Sequence, residues 1–484
     1  MSVCLTSKNS RQILWQAVDA AAATGGRARG GVWAVSGISI DSREVQIGDL
    51  FVALKGPNYD GHDFIIQAFR NGASAGLVSR VPSKLDSDMP LIIVDDTNIA
   101  LRDLAKAARE RTSAKVIAVT GSVGKTGTKE MIAAGLVENG TTIASLGNQN
   151  NHIGVPLSLA RMPKDCNFGV FEVGMSAPGE VANLTKLIRP HVGIITTVEP
   201  VHTEFFNSLE AVADAKGELF SGIINEGTAI INRDNFFFPH LLEKAQANEN
   251  LKVMSFGSSE ESDFKLIDLK TESDSINIKA NLNGQEVEYI IKLRGRHWAL
   301  NSVAALAASS LVGAGIDKST KGLSRVMPMK GRGSIFSTSF GGGKISIIDE
   351  SYNASPPSME AALQSLGDFI ADSKSRRVAI LGDMLELGES EDQYHADLAP
   401  ICEKYNVNLV CTVGPLMAHL HLALPASISS KHFADPKKLI MSLSNIILSG
   451  DIILVKGSKG SRVSQIIDYL TPVSGSSSAI GAEV

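Results

Sequence analysis

The chain has 484 residues, of which 44% are hydrophobic and 20% are charged, and its formal net charge at pH 7 is −5. This length predicts two to four domains, and the composition is typical of a globular protein that buries several cores. The slight acidic excess argues against a general nucleic-acid binder, which needs a basic surface. Because no apolar run approaches the about 18 residues of a membrane span, we expect no span and a cytoplasmic location.

The four cysteines show no C-x-x-C spacing. This distribution argues against a zinc knuckle and against a disulfide framework. It is typical of a protein from a reducing compartment.

Three regions follow one another, and together they predict an α/β fold with three domains. Residues 1–112 contain short strands and helices, which predict a small α/β domain. Residues 113–330 contain buried strands such as KVIAVT and FGVFEV, which predict a mostly parallel sheet, and the alternating residues around Asn283 and Gly284 add an antiparallel hairpin. In residues 331–484 the strands KISIID, RVAIL, NLVCTV and DIILVK predict a second, Rossmann-like doubly wound domain.

A glycine-rich turn follows the first buried strand of the central region, in VIAVTGSVGKTGTKEM at 116–131. It lacks the first glycine of G-x-x-x-x-G-K-[ST], but Gly121 and Gly124 still allow a tight turn into a helix that begins near Thr126. The helix N-terminus attracts an anion, Lys125 adds a positive charge, and the hydroxyl of Thr126 suits Mg²⁺. The predicted nucleotide-binding residues are Thr120, Gly121, Ser122, Val123, Gly124, Lys125 and Thr126.

Two further polar residues follow predicted strands of the same sheet, where a doubly wound fold places its chemistry. Glu172 ends FGVFEV, and His202 comes four residues after VGIITTV. Glu172 is either a solvated strand end or a Mg²⁺ ligand. His202 is either a structural histidine or a metal ligand.

Lys216 lies on the apolar face of a predicted helix, a face that it shares with Leu209, Val212, Leu219 and Phe220. A lysine in this position either extends its amine to the surface or is buried. A buried amine loses its proton more easily and can react with CO₂. The resulting carbamate is an anion that could orient Mg²⁺.

The motifs of all three regions together resemble those of the Mur ligase family, the ATP-dependent amide-forming enzymes of peptidoglycan synthesis. In family order they are TGSVGKTGTKEM, LGNQNNHIGVPLSL, FEVGMSAPGEV, VHTEFFNSLEAVADAKGELF, GRHWALNSVAALA, DESYNASPPSMEAAL and LGDMLELGE. The family's loop, T-G-[ST]-x-G-K-T, accounts for the missing first glycine. The resemblance implies that a substrate carboxylate is phosphorylated by ATP and then attacked by an amine.

Within the family, three segments resemble the members that join D-alanyl-D-alanine to a UDP-N-acetylmuramoyl tripeptide. They are DESYNASPPSM, GDMLELGE and DSREVQIGDLFVALKGPNYDGHDF. A member that adds the third amino acid and a folylpolyglutamate synthase are the alternatives within this class. Outside it, a P-loop kinase or switch-type NTPase and a catalytically inactive nucleotide-binding scaffold remain open.

The resemblance also implies roles for residues of the nucleotide site. Asn301 would reach the adenine of ATP, and Arg332 and Asp349 of the third domain would hold phosphate and ribose. The implied ligands of Mg²⁺, with two ions expected, are Thr126, Glu172, His202 and Lys216, the last as N-carboxylysine. The implied catalytic residues are Lys125, His202 and Lys216.

Further residues are implied to bind the small-molecule substrates. The first domain would take the UDP-sugar end, and the third would contribute to binding ATP and D-alanyl-D-alanine. The implied substrate-binding residues are Asp41, Ser42 and Arg43, then Asn150 and Asn151, and finally Tyr352 and Asn353. We expect a monomer whose domains close to assemble the site.

Gly127 is a departure from the family pattern, because relatives usually carry Ser or Thr after the threonine of the loop. A hydroxyl at this helix position supports the α-phosphate. We therefore expect some loss of nucleotide affinity, or a water in place of the hydroxyl.

Overall fold

The computed structural model describes residues 12–200, 204, 206, 208–272, 275–369 and 375–471. Its strands fall into one small and three larger sheets that follow one another along the chain. His202, a predicted catalytic and metal-binding residue, lies outside the described residues.

The N-terminal part is a small α/β unit. Its elements are β1 (Trp15–Gln16), α1 (Ala17–Thr24), β2 (Arg27–Arg29), β3 (Ala34–Val35), β4 (Gly37–Ser39), β5 (Asp49–Val52), α2 (Ile65–Arg70), β6 (Ala75–Val78), β7 (Leu91–Ile93) and α3 (Thr97–Glu110). Strands β4 to β7 are parallel, β2 joins β7 antiparallel, and β1 pairs with β3. Asp96 caps α3 by accepting from the backbone N–H groups of Asn98 and Ile99, which fixes where this helix begins.

The central part is built on one nine-stranded sheet with the order β16-β15-β14-β13-β12-β11-β8-β10-β9. Its elements are β8 (Lys115–Thr120), α4 (Lys125–Val137), β9 (Thr142–Ala144), α5 (Gly154–Ala160), β10 (Phe168–Glu172), α6 (Glu180–Ile188), β11 (Val192–Ile195), α7 (Leu209–Gly217), β12 (Thr228–Asn232), α8 (Phe238–Gln246), β13 (Lys252–Gly257), β14 (Phe264–Thr271), β15 (Ile276–Leu282), β16 (Gln285–Ile291), α9 (Arg296–Leu311) and α10 (Ile316–Leu323). Strands β8 to β14 are parallel, and β14, β15 and β16 are antiparallel.

The predicted hairpin in this sheet is confirmed. Strands β15 and β16 are joined by Asn283 and Gly284, whose φ angles are 52° and 94°. A two-residue loop with both φ angles positive matches the right-handed twist of its strands. The sequence pair Asn-Gly therefore fixes both the turn and the register of the antiparallel extension.

The C-terminal part is a six-stranded sheet with the order β17-β18-β22-β19-β20-β21. Its elements are β17 (Ser334–Phe340), β18 (Gly343–Glu350), α11 (Pro356–Gly367), β19 (Arg377–Gly382), α12 (Glu391–Ala396), α13 (Leu398–Lys404), β20 (Leu409–Val413), α14 (Met417–Ala423), β21 (Ser429–Phe433), α15 (Pro436–Ser442), β22 (Ile452–Lys456) and α16 (Ser464–Leu470). All its strand pairs are parallel except β17 with β18.

Helices cover both faces of the C-terminal sheet, as the predicted doubly wound architecture requires. Along β19, Ala379 and Leu381 point into one apolar core, whereas Val378 and Ile380 point into the other. Alternation of this kind explains why inner strands of the sheet, such as β19, are apolar along most of their length. Within the described part of the chain, no helix combines the length and apolar character needed to cross a bilayer.

Candidate functional site

A cavity of about 900 Å³ opens where the central and C-terminal parts meet. It is lined by the loop after β8, by residues at or after the ends of β10 and β11, by the start of α9, and by segments that follow β18 and β22. Ligands of doubly wound folds bind beyond the carboxyl ends of parallel strands, and two such edges face each other here. This cavity is the candidate active site.

The turn after β8 has the backbone geometry predicted from its glycines. Gly121 has a φ of 145° and Gly124 a φ of 86°, and α4 begins at the next residue. The hydroxyl of Thr196 donates to the carbonyl of Val123 at 2.6 Å, which braces the turn against the segment after β11. The N-terminus of α4 therefore opens into the cavity, as an anion site requires.

Two hydroxyls of the turn are already used within the protein. The hydroxyl of Thr120 donates to the carbonyl of Val173 at 2.8 Å, and Thr120 does not line the cavity. The hydroxyl of Ser122 bonds to the backbone of Glu199, accepting from its N–H at 2.9 Å and donating to its carbonyl at 3.1 Å. Both side chains thus hold the loop in place, and the backbone of the loop is what remains to contact a phosphate.

Lys125 is folded back onto the turn that it follows. Its Nζ donates to the carbonyl of Gly121 at 2.7 Å and to that of Ser122 at 3.1 Å. Loss of hydration lowers the pKa of this amine, an effect that Glu172 opposes and Arg332 strengthens. A phosphate that enters the loop would meet a positive charge at short range.

Glu172, at the end of β10, carries one oxygen that its surroundings leave unsatisfied. Its side chain is 1% exposed, and Oε1 accepts from Asn150 Nδ2 at 2.8 Å. Oε2 is buried without a hydrogen-bond partner among the described residues. A buried carboxylate oxygen without a partner costs free energy unless a cation or donor binds it, so this atom fits a Mg²⁺ ligand.

Other donors for a metal lie at the same cavity. The hydroxyl of Thr126 makes no hydrogen bond to a described residue, and the residue lines the cavity beside Glu172 and Lys216. Among the described residues, no three His, Cys, Asp or Glu side chains are grouped so that they could hold a metal. The predicted metal ligands that line the cavity are the carboxylate of Glu172, the hydroxyl of Thr126 and the side chain of Lys216.

Lys216 is buried in the last turn of α7, on the apolar face that the sequence predicts for it. It is 1% exposed and has no hydrogen bond or ion pair within the described part of the chain. Burial lowers the pKa of its amine well below the ordinary value, and the charge of Lys125 lowers it further. A larger fraction of the amine is therefore neutral at neutral pH, which is the form that reacts with CO₂.

The C-terminal part contributes a cation and an acid to the cavity. The guanidinium of Arg332 lies over the ring of Tyr352 at 3.9 Å from its centroid, which orients this arginine. Glu350 lies 3.8 Å from Lys456 Nζ, and all four residues line the cavity. Sequence reasoning missed Glu350 and Lys456, although Lys456 ends the apolar strand DIILVK in the way that Glu172 ends its own strand.

The structure does not bring Asp349 to the cavity surface. The residue is 1% exposed, and its Oδ2 accepts from the N–H of Gly331 at 2.8 Å. Its Oδ1 accepts from both the N–H and the hydroxyl of Ser351. Since both oxygens already have partners, Asp349 holds the turn that carries Arg332, and Glu350 is the acid that faces the cavity.

The predicted substrate-binding residues fall into two groups. Asn150, Asn151, Tyr352 and Asn353 line the cavity, whereas Asp41, Ser42 and Arg43 do not. Arg43 instead pairs with Asp41 in the N-terminal part, and this hydrogen-bonded pair lowers the pKa of the Asp41 carboxyl. Residues 41–43 thus lie outside the lining of the cavity that contains the nucleotide loop.

Three family profiles match the chain in succession. The profile described as "Mur ligase family, catalytic domain" matches residues 34–114, "Mur ligase middle domain" matches 119–309, and "Mur ligase, glutamate ligase domain" matches 331–459. A curated UDP-N-acetylmuramoyl-tripeptide–D-alanyl-D-alanine ligase of Rickettsia prowazekii is 36% identical over 432 residues, which cover 89% of this chain and 94% of the relative. The chain belongs to the Mur ligase family. The resemblance that its motifs indicate is confirmed.

Other Mur ligases agree in sequence and in fold. The corresponding enzyme of Escherichia coli is 36% identical over 448 residues, which cover 92% of this chain and 96% of that one. The solved MurF structure from Acinetobacter baumannii aligns with a TM-score of 0.80 and 29% identity, covering 94% and 98% of the two chains. MurF ligase from Thermotoga maritima, solved in complex with ADP, aligns with a TM-score of 0.72 and 27% identity, covering 90% and 96%. The three-domain Mur ligase architecture is thus the fold of this chain, and the chain is an enzyme of the ligase class.

The conformation of Gly121 leads to a first prediction, for the variant Gly121→Ala. A Cβ at this position would lie 2.0 Å from Thr196 Oγ1, so the turn of this Mur ligase must open to admit it. We expect a loss of about 1–3 kcal/mol in the free energy of unfolding, as for other overpacked sites, together with weaker binding of ADP. Denaturant unfolding and calorimetric titration with ADP measure the two effects.

The matched control is Gly313→Ala, because Gly313 also has a positive φ, of 85°, but no atom within 4 Å of the added Cβ. We expect Gly313→Ala to lose only the about 1 kcal/mol in free energy of unfolding that the positive φ costs an alanine, and to leave the affinity for ADP unchanged. Equal unfolding free energies and equal ADP affinities for the two variants would contradict the assigned geometry of the loop.

Proposed function

We propose that this chain joins D-alanyl-D-alanine to a UDP-N-acetylmuramoyl tripeptide at the expense of ATP, as a monomer in the cytoplasm. The names of the relatives from Rickettsia prowazekii and Escherichia coli support these substrates. The structural support is the shared cavity, which brings the phosphate loop, Glu172 and Lys216 of the central part together with Arg332 of the C-terminal part. We take the domains to be residues 1–112, 113–330 and 331–484.

The chemistry follows from the poor reactivity of a carboxylate. Its charge repels a nucleophile, and oxide is a bad leaving group. A carboxylate oxygen of the tripeptide therefore attacks the γ-phosphorus of ATP, giving an acyl phosphate and ADP. The amine of D-alanyl-D-alanine attacks the acyl carbon, loses a proton, and phosphate leaves with the former carboxylate oxygen.

The protein groups that support these steps act through charge and position. Lys125 lies on the phosphate loop, where its charge would offset that of the transferring phosphoryl group. Arg332 would act from the C-terminal part, held by Tyr352 and by the turn that Asp349 stabilises. Because these cations belong to two domains, we propose that domain closure completes the site.

A bound Mg²⁺ would neutralise phosphate oxygens and orient them for the displacement. Glu172 and Thr126 are the described residues that fit it, by the buried free oxygen of one and the free hydroxyl of the other. We propose that Lys216 joins them as a carbamate, because its amine is buried, has no hydrogen-bond or ion-pair partner among the described residues, and has a lowered pKa. His202 would complete the set, as its place in the family motif suggests.

Not all predicted contacts find equal support. Asn301 lies against Gly124 of the phosphate loop, and a contact with adenine stays a prediction. Asn151 accepts from the N–H groups of Ile153 and Gly154 with its side-chain oxygen, so it shapes the start of α5. Asn150 is better placed to act in the site, through its hydrogen bond to Glu172.

The experiment that tests this function measures ADP release and product mass with each substrate omitted in turn. We expect turnover only with ATP, UDP-muramoyl tripeptide and D-alanyl-D-alanine together, and a product that contains the new amide. If meso-diaminopimelate or glutamate triggered turnover and D-alanyl-D-alanine did not, another member of the family would be the right assignment. Phosphate transfer to water or to a hydroxyl without an amide would favour a kinase or NTPase.

A further inference from the structure

The ring of Trp298 occupies the space in which a side chain at position 127 would lie. Gly127 belongs to the first turn of α4, directly after Thr126. A Cβ built on it would lie 2.2 Å from Cζ3 and 2.6 Å from Cη2 of Trp298. Atoms cannot approach this closely, so any larger residue at 127 would displace the indole. The missing hydroxyl after the loop threonine is thus a steric consequence of Trp298.

The contact is part of a regular match between two helices. A Cβ on Gly124 would lie 2.9 Å from Asn301 Nδ2. Gly124 is the residue directly before α4 and Gly127 lies in its first turn, whereas positions 298 and 301 are three apart within α9 and share one helical face. The side chains of Trp298 and Asn301 on α9 therefore pack against the two glycines at the start of α4.

Trp298 also borders the cavity and the C-terminal domain. It is 7% exposed and belongs to the cavity wall. A Cβ on Gly333 would lie 3.6 Å from its Nε1, so this edge of the indole faces the turn that carries Arg332. The indole N–H donates no hydrogen bond to the described part of the chain. The ring therefore spans the space from the phosphate loop helix to the third domain.

The phosphate loop, Gly127 and Trp298 line one cavity, so a nucleotide whose phosphates sit on the loop has room for its nucleoside beside the first turn of α4. Trp298 lies beside this turn, and aromatic rings bind purine bases through their large apolar faces. We propose that Trp298 is a nucleotide-binding residue whose indole forms one wall of the site for the purine nucleoside of ATP. The absence of a side chain at Gly127 leaves the room that the indole occupies. The proposal rests on the proposed function, since it takes ATP as the nucleotide of this cavity.

Steady-state kinetics with varied ATP test the pair through three variants. Trp298→Ala should raise the KM for ATP about tenfold, as loss of one stacking contact does, with a much smaller change in kcat. Gly127→Ala should raise the same KM, because its Cβ displaces the ring. The double variant should match Trp298→Ala within about twofold, because both changes act through one side chain. An unchanged KM for ATP in Trp298→Ala, or effects that multiply in the double variant, would overturn the proposal.

Tryptophan fluorescence gives a second readout that needs only a conservative change. The chain has three tryptophans, and the other two, Trp15 and Trp33, lie in the N-terminal part. Addition of ADP should change the emission of the wild type and of Trp33→Phe, and Trp298→Phe should lose this change. A wild-type response in Trp298→Phe would count against the proposal.

The two experiments separate this proposal from the proposed function. If the wild type forms the amide but Trp298→Ala keeps its KM for ATP, only the role of Trp298 fails. If the wild type forms no amide, the proposed function fails, and the ADP titration still decides whether Trp298 contacts the nucleotide.

Discussion

Replacement of Lys125 by methionine is expected to lower the ligation rate by about 10²–10³-fold, the cost of losing one preorganised charge at a transition state. The methionine keeps the length of the stem and removes the amine that now bonds to the carbonyls of Gly121 and Ser122. Without this amine, the negative charge that develops on the transferring phosphoryl group has one partner fewer. Coupled measurement of ADP release at saturating substrates gives the effect on kcat.

The control for Lys125→Met is Lys321→Met, because Lys321 is exposed on α10 and is not part of the cavity lining. It should keep wild-type activity. Circular dichroism of both variants should match the wild type, since the Lys125 amine contributes two hydrogen bonds within one turn and belongs to no apolar core. Wild-type kcat in Lys125→Met would remove the phosphate loop from the mechanism.

Lys216→Ala is expected to lose about 10²-fold in activity and to regain part of it when a short-chain carboxylate is added. The loss is of the size seen when a group that supports a metal ligand is removed. The cavity left by the lysine stem can admit formate or acetate, whose charge replaces that of the carbamate. Activity assays with increasing acetate measure the recovery, and Lys216→Met, which leaves no such cavity, serves as the control that should not recover.

A wild-type rate in Lys216→Ala, or equal recovery of both variants, would contradict the carbamate.

The pH dependence of the free energy of unfolding, measured in CO₂-depleted buffer, gives an independent check on the unmodified amine of Lys216. Since the folded-state pKa of Lys216 is lowered, the unfolded chain binds more protons, and wild-type stability rises with pH. Lys216→Met has no amine and lacks this pH dependence. We therefore expect the variant to exceed the wild type in free energy of unfolding at lower pH, and this difference to shrink as the pH rises toward 10.5.

The elements that sequence patterns predict well are those buried on both faces. Strand β8 matches KVIAVT residue for residue, and β19, β20 and β22 fall within or next to the predicted apolar runs. Full burial requires an apolar residue at each position, so the run marks the strand directly. The phosphate loop and the Asn-Gly turn are predictable for a related reason, because each needs glycine at fixed positions of the backbone.

The two outer strands of the C-terminal sheet were not predicted. Strands β17 (SIFSTSF) and β21 (SSKHF) lie at its edges, and their residues are half-buried or exposed. An edge strand packs only part of its surface against the sheet, so polar residues are tolerated and no apolar run marks it. Their place in the sheet depends on partners distant in sequence.

The sequence also leaves open which of several candidate residues face the site. Adjacent residues of a strand point to opposite faces, so the pair Asp349 and Glu350 at the end of β18 does not reveal which acid enters the cavity. The packing of Trp298 on Gly127 joins two helices that the sequence does not relate to each other. The residues that the motifs did identify, such as Lys125 at the start of α4 and Glu172 at the end of β10, lie at or just after the carboxyl end of a buried strand, and this position already indicates that they face the site.

Transfer of ¹⁸O from the tripeptide to phosphate tests the proposed reaction most directly. The terminal carboxylate of the UDP-muramoyl tripeptide is labelled, and the phosphate released during ligation of D-alanyl-D-alanine is analysed by mass spectrometry. We predict one labelled oxygen in each phosphate for each amide formed, because the former carboxylate oxygen leaves with the phosphate. Amide formation with unlabelled phosphate would contradict the acyl-phosphate route, and label-free phosphate without an amide would contradict the proposed function itself.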